Sequence, residues 1–195
     1  MRIAIVSDIH DNLTALEAVL ADLRETAPDV VFHGGDIAGS GSRPVEVVDR
    51  IRDLGWRGVF GNTDELLFRP ESLPNYSFAP IIEEMASWTR EKLGSDRLKW
   101  LRALPFKLVH GKMALVHASP ESCWKAPTPE EKVEPVYLPL GKPIAVYGHI
   151  HRPFIRSTFE ITVANSGSVS MSYDGDRRAS YLLLDDSTPT IRRSA

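Results

Sequence analysis

Residues 2–12, "RIAIVSDIHDN", set a short apolar run directly before an aspartate and a histidine two positions apart. "RIAIVS" is too short for a helix and rich in β-branched residues, so it reads as a buried strand. Beyond it, Leu13, Leu16, Val19, Leu20 and Leu23 recur at helical spacing, with Asn12 placed to cap the helix. "PDVVFHGGD" (28–36) reads as a second strand, opened by a proline. "SRPVEVVDRIRDLG" (42–55) follows as a second helix, with an apolar stripe at Val45, Val48 and Ile51 and a closing Gly55. "GVFGN" (58–62) reads as a third short strand. Strand, helix, strand, helix, strand predicts parallel βαβ units.

The second half changes character. Residues 78–104 read as helical, with Ser95 a candidate cap between two segments. After Pro105, "FKLVHGKMALVHA" reads as a hairpin turning at His110-Gly111-Lys112. "IAVYGHIH", "FIRSTFEITVAN" and "ASYLLLDDS" read as further strands, giving a partly antiparallel region. Between the hairpin and "IAVYGHIH", residues 118–143 form a loop carrying six prolines, and a loop this long is expected to be a functional lid. No repeat, low-complexity segment or dividing linker is present, so residues 1–195 are expected to form one domain.

Composition narrows the function. The formal charge of −3 gives no basic footprint, so no stable nucleic-acid complex is expected. Cys123 is the only cysteine, which excludes an intramolecular disulfide and calls for no oxidising compartment. The amino-terminal stretch turns acidic by residue 8 and lacks a long apolar segment, so a signal peptide is not expected. No apolar run approaches the roughly 18 residues of a membrane span. The expectation is a soluble, cytoplasmic protein without membrane partners.

In a parallel α/β sheet, ligand-binding residues collect past the carboxyl ends of the strands. Asp8 and His10 stand there after the first strand, Asp36 after the second, and Asn62 and Asp64 after the third. Asp36 follows Asp8 by 28 residues and Asn62 follows Asp36 by 26, about one βα unit each, so the clusters should share one edge. His117 ends "MALVH", and His149 and His151 end "AVYGHIH". Residues i and i+2 of a strand share a face, so each close pair can aim at one place. Carboxylate, imidazole and one amide oxygen, with no thiolate, suit Mn²⁺, Zn²⁺, Fe or Ni better than Ca²⁺ or copper(I). Seven donors exceed a single four-coordinate zinc but suit two metals about 3.5–4 Å apart that share a carboxylate. Two aspartates beneath two divalent ions leave the filled site net positive and attractive to phosphate. His33 is expected in the core, His110 solvated, Cys123 incidental, and Trp88 and Trp100 in the core, with "PEEKVE" (129–134) a solvated stretch. Arg43, Lys125 and Arg152 are weaker candidates for a phosphate contact.

"SDIHDN", "GGD", "GNTD", "VHASP" and "GHIHRP" resemble, in order and spacing, the calcineurin-like metallophosphoesterases. The similarity is greatest to their small single-domain bacterial and archaeal branch, which ends in an "NPGSV"-like segment, here "NSGSV" (165–169). The resemblance spans residues 1 to about 170 and implies a four-layer αββα sandwich of two mixed β-sheets flanked by helices. It implies that Asp8, His10 and His151 hold one divalent ion, that Asn62, His117 and His149 hold a second, and that Asp36 bridges them with a hydroxide that attacks phosphorus in line. Manganese leads the expected metals, ahead of zinc, iron and nickel. His10 and Asn62 become the candidate catalytic residues, and Asn12 and Asn62 the candidate substrate contacts.

Thr63 departs from the family's Gly-Asn-His-Asp/Glu, whose histidine serves the leaving oxygen or steadies the transition state. A threonine hydroxyl is too weak an acid for that work at neutral pH. Ser119 also differs from relatives with a His-Gly-His motif, though "HASP" resembles the His-Gly-Ser-Pro variant. The expected activity is therefore a phosphodiesterase with a small or nucleotide-like phosphoester substrate. The alternatives are a non-catalytic interaction protein resembling the retromer subunit of this superfamily, a dinucleoside polyphosphate hydrolase, or a protein phosphatase.

Overall fold

The computed structural model describes residues 1–195 and contains two five-stranded sheets. In the first, β1 (Arg2–Val6), β2 (Val30–His33) and β3 (Arg57–Gly58) run parallel, joined by α1 (Leu13–Thr26) and α2 (Pro44–Asp53). Two further helices, α3 (Asn62–Phe68) and α4 (Ala79–Arg102), lead out of this half. The hairpin β4 (Lys107–His110) and β5 (Met113–Val116) opens the second sheet. After the short α5 (Glu134–Tyr137) come β6 (Ile144–Tyr147), β7 (Phe154–Ser157) and β8 (Thr162–Asn165), giving the order β4-β5-β6-β8-β7. The chain then returns to the first sheet as β9 (Ala179–Asp185) and β10 (Thr188–Ser194), giving β10-β9-β1-β2-β3. Both sheets mix parallel and antiparallel pairs.

Strand pleating explains the layers. Ala4 and Val6 of β1, with Tyr181 and Leu183 of β9, face the helices in a cluster of 21 buried residues. Their neighbours Ile3, Ile5, Leu182 and Leu184 face Met113, Leu115, Ile144 and Val146 of the other sheet in a cluster of 11. Successive residues on one strand thus feed two cores, which is why these runs are apolar throughout rather than alternating. Each fully buried leucine, isoleucine or valine contributes about 1.5–3 kcal/mol. The result is the expected α/β sandwich of two face-to-face mixed sheets, with helices outside. No helix is long and apolar enough to cross a membrane.

Several local expectations are corrected. Residues 118–143 divide: Trp124 donates its indole N–H to Glu65 Oε2 of α3 (3.0 Å), whereas Val133 and Tyr137 form no lid and cover the outer face of the second sheet together with Ala145, Tyr147 and Val163. Tyr137 stacks on Tyr147 with ring centroids 4.8 Å apart and donates to the Ala118 carbonyl at 2.5 Å. This loop substitutes for most of a helical layer, and Val133 removes part of "PEEKVE" from solvent. "FIRSTFEITVAN" is two antiparallel strands, β7 and β8, joined at a turn that leaves Phe159 97% exposed. β3 is only two residues long, because Val59 still reaches the His33 carbonyl (3.2 Å) but Phe60 already bonds to Pro105 (3.2 Å). Trp88 is 41% exposed on the outside of α4, not in the core, whereas Trp100 packs against the main cluster. His110 is half-buried with its ring 5.1 Å from that of Phe32.

Candidate metal centre

All seven residues singled out from the sequence converge where the strands of both sheets end. Five of them do so in left-handed turns rather than on straight strand faces: Asp8 (φ 58°), His10 (φ 47°), Asp36 (φ 51°), His149 (φ 65°) and His151 (φ 54°). His149 and His151 therefore splay rather than share one target, whereas Asp8 and His10 meet at one group. His151 turns toward Asp8 and His10, while His149 turns toward Asn62. A non-glycine residue in this region costs about 1–2 kcal/mol, which the surrounding bonds must offset. The backbone of residues 8–10 donates to the carbonyls of Gly35 and Asp36 at 2.9–3.0 Å, lashing the first loop to the second. Within the second sheet, Gly148 N–H donates to the His117 carbonyl at 2.9 Å, and Asn165 Nδ2 donates to the Gly148 carbonyl at 2.5 Å.

Two groups form. In one, His151 Nε2 stands 3.1 Å from Asp8 Oδ1 and 3.2 Å from His10 Nε2. In the other, Asn62 Oδ1 stands 3.0 Å from His117 Nε2 and 2.9 Å from His149 Nδ1. Asp36 lies between them, with Oδ2 3.5 Å from His10 Nε2 and Oδ1 3.4 Å from His117 Nε2. The donors Asp8, His10 and His151, and likewise Asp8, Asp36 and His117, are close enough to share an ion.

The surroundings fit a metal. His10, His117 and His151 each direct Nδ1 at a backbone carbonyl, those of Gly39 (2.9 Å), Gly34 (2.8 Å) and Met171 (2.7 Å). A carbonyl only accepts, so Nδ1 carries the proton and Nε2 offers its lone pair to the centre, the arrangement that fixes a ligating imidazole. Without a cation, protons must hold the carboxylates together. Burial opposes both charges of the Asp36–His117 pair. Their attraction outweighs it, holding Asp36 well below the usual carboxylate range and pushing His117 up to about 10. Burial, followed by the charge of His117, keeps His149 down at about 4.

Residues outside the seven donors hold this frame. Asp64 accepts N–H bonds from Ile37, Ala38 and Gly61, all at 3.0 Å, and so ties the loop carrying Asp36 to the start of α3, where Asn62 sits. Asp64 was placed after the third strand by the sequence, but an acidic residue three positions past Gly61 is also a helix-start signal that could have revealed α3. Thr63 donates its hydroxyl to the Ala38 carbonyl (2.7 Å) and its N–H to Asp36 Oδ1 (2.9 Å). Ser168, within "NSGSV", donates to the Asp8 carbonyl (2.9 Å) and accepts from Met171 N–H (2.9 Å), the residue whose carbonyl orients His151. Tyr173 stacks on His151 with centroids 4.9 Å apart.

The other sequence candidates divide. Asn12 caps α1 through Ala15 N–H (3.0 Å), and its Nδ2 donates to Ser170 Oγ (3.3 Å). Arg43 lines a polar cavity beside His10, paired only with Glu46 (3.0 Å). Arg152 is engaged by Glu130 (2.6 Å), and Lys125 is exposed. His33 is buried outside the donor set, its ring 6.3 Å from that of Trp100, and burial holds its imidazole down at about 4. Burial pushes the Cys123 thiol well above its ordinary range, which leaves it unreactive.

Comparisons with known proteins agree with this geometry. Residues 1–188 match the family model for the calcineurin-like phosphoesterase superfamily domain. An uncharacterised protein of Methanocaldococcus jannaschii is 34% identical, over 94% of this chain and 82% of its own. Phosphodiesterase YfcE of Escherichia coli is 27% identical, over 98% of this chain and 91% of its own. The crystal structure of a metallophosphoesterase from Sphaerobacter thermophilus superimposes with a TM-score of 0.85 at 30% identity, covering 100% of this chain and 88% of that one. A hypothetical protein from Pyrococcus horikoshii shares the fold at a TM-score of 0.87 and 21% identity, covering 99% of this chain and 87% of that one. Family model, fold and converging donors lead to one conclusion: the chain belongs to the calcineurin-like phosphoesterase superfamily.

Proposed function

We propose that this chain is a metal-dependent phosphodiesterase that uses two divalent ions, manganese foremost, on a small or nucleotide-like phosphoester. The observation that carries the reading is Asp36, one carboxylate oxygen of which faces His10 at 3.5 Å and the other His117 at 3.4 Å. Asp8, His10 and His151 would hold one ion, and Asn62, His117 and His149 the other, with Asp36 serving both. Such ions, when bound, supply a nucleophilic water at neutral pH and neutralise charge on the phosphoryl oxygens. The similarity to a named phosphodiesterase points the same way.

The chain's own residues shape the substrate preference. With Asn62 Oδ1 turned to two histidines, its Nδ2 is the donor left for a phosphoryl oxygen. Thr63 spends its hydroxyl proton on the Ala38 carbonyl, so position 63 offers no acid to a leaving oxygen. Departure then depends on a leaving group that is stable as an anion. Diesters and nucleotide-type substrates with activated leaving groups are favoured over a protein phosphoserine, whose oxygen departs as an alkoxide.

The test is hydrolysis of bis(p-nitrophenyl) phosphate by protein stripped with chelator and reloaded with Mn²⁺, Zn²⁺, Fe²⁺ or Ni²⁺. Turnover restored by at least one ion is expected. Tight metal binding with no turnover for any ion would instead favour the non-catalytic interaction protein.

A further inference from the structure

A cleft runs from the candidate metal centre to the outside of α4. Its inner part, a cavity of about 250 Å³, is lined by His10, Asp11, Ser42 and Arg43 among ten residues of which one is apolar. Its outer part, about 260 Å³, shares Ser40 and Gly41 with the inner part and adds Met85 and Trp88. The chemistry changes in order along it. Next to the phosphate-attracting centre stands Arg43, exposed and held only by a neighbour three residues on, a pair of little strength. Asp11 shapes the wall of the same cavity: its Oδ2 accepts from Gly39 (2.9 Å) and Gly41 (3.1 Å), which fixes the loop that carries Ser42 and Arg43. Farther out, Trp88 and Met85 are 41% and 40% exposed, two large apolar side chains on one open groove.

We propose that this cleft is the subsite for one arm of the diester, and that the arm is a nucleoside 5′-phosphate. Anion, polar hydroxylated ring and flat aromatic base follow one another in that molecule in the order in which the metal centre, the inner cavity and Trp88 follow one another here. Arg43 receives phosphoryl oxygens, Ser42 faces the ribose, and the base stacks on the indole beside Met85. Trp88 acts here as a specificity-determining residue and takes no part in bond breaking. This inference rests on the phosphoesterase reading.

The experiment is calorimetric titration of the manganese-loaded protein with AMP, ribose 5-phosphate and inorganic phosphate, which needs no turnover. AMP is expected to bind at least about tenfold more tightly than ribose 5-phosphate, within the range that one stacked base contributes. Trp88→Ala should erase that ratio and leave ribose 5-phosphate binding unchanged, whereas Trp88→Phe should retain most of it. Trp88 faces solvent, and an unchanged melting temperature in both variants would exclude a folding defect. Equal binding of AMP and ribose 5-phosphate to the wild type, or an undiminished ratio in Trp88→Ala, would overturn the subsite while leaving the phosphoesterase reading intact. Binding of none of the three would overturn both.

Discussion

At the scale of single residues, two side chains separate the reading proposed here from its rivals. Asp36→Asn removes the charge shared by both donor groups while keeping the shape of the side chain. Metal content should fall, and kcat/KM for the aryl diester should drop by more than about 100-fold, beyond what losing a mere partner of a ligand costs. Wild-type rates would contradict the shared role. Thr63→Val should act on stability instead, because its hydroxyl bonds to a backbone carbonyl. We expect a loss of about 1 kcal/mol in urea denaturation, with kcat changed less than threefold. A collapse of kcat at unchanged stability would mean that the hydroxyl serves the leaving group after all. His117 sets a pH dependence in protein stripped by chelator. Its folded value of about 10 lies above its ordinary 6.5, so the stabilisation by its proton is complete below pH 6.5 and is lost as pH rises toward 10. The urea midpoint in chelator should therefore fall across that window, while Mn²⁺ affinity should rise as metal displaces the proton. A flat midpoint would show that Asp36 and His117 are not paired in solution. The gathering of the seven candidate donors at one edge was legible from residue type and spacing. Asp64 and Ser168 were not singled out as supports, because their partners are backbone groups remote in sequence.

Among the elements, α4 shows how local chemistry reaches the surface of the sequence. Ser95 as a cap between two segments places a break one residue from Gly94, where φ 66° and ψ 175° interrupt the helix. A Cβ at Gly94 would meet nothing within 4 Å, so only the backbone demands glycine there. Gly94→Ala should cost about 1–3 kcal/mol and lower the melting temperature by roughly 3–10 °C, with metal content unchanged. An unchanged melting temperature would indicate that α4 straightens without penalty. Caps and glycines are signals carried by a few adjacent residues, which is why this break and the Asn12 cap of α1 were legible. The turn between β7 and β8 contains neither glycine nor proline, so two strands read as one. β10 escaped because Pro189 interrupts its run, and a proline is tolerated there only because the strand lies at the sheet edge.

For the whole molecule, strand order was the least legible feature, because β9 joins β1 from the far end of the chain and no local pattern announces such a pairing. That return also decides what metal would do to stability. Asp8, His10, Asp36 and Asn62 hang from the first sheet, and His117, His149 and His151 from the second. Polar ties already cross between the sheets at this edge: His117 Nδ1 to the Gly34 carbonyl at 2.8 Å, and His149 N–H to Asp8 Oδ1 at 3.0 Å. The apolar layer between the sheets is small, a cluster of 11 residues, and the opposite edge opens into a cleft of about 320 Å³ beside Met1, His110 and Leu184. Ions held at one edge would therefore clamp two layers that are otherwise joined mainly by non-directional packing. Linkage gives about 2.7 kcal/mol for each site at a free metal concentration 100 times its dissociation constant, which corresponds to roughly 5–11 °C in a chain of this length. Calorimetry should show the melting temperature climbing with the logarithm of Mn²⁺ concentration and falling back in chelator. Hydrogen exchange should show the gain in protection concentrated at the carboxyl ends of β1, β5 and β6, with the β4–β5 turn unaffected. A melting temperature indifferent to manganese, or protection spread evenly over both edges, would mean that the donors from the two sheets do not close on a common ion.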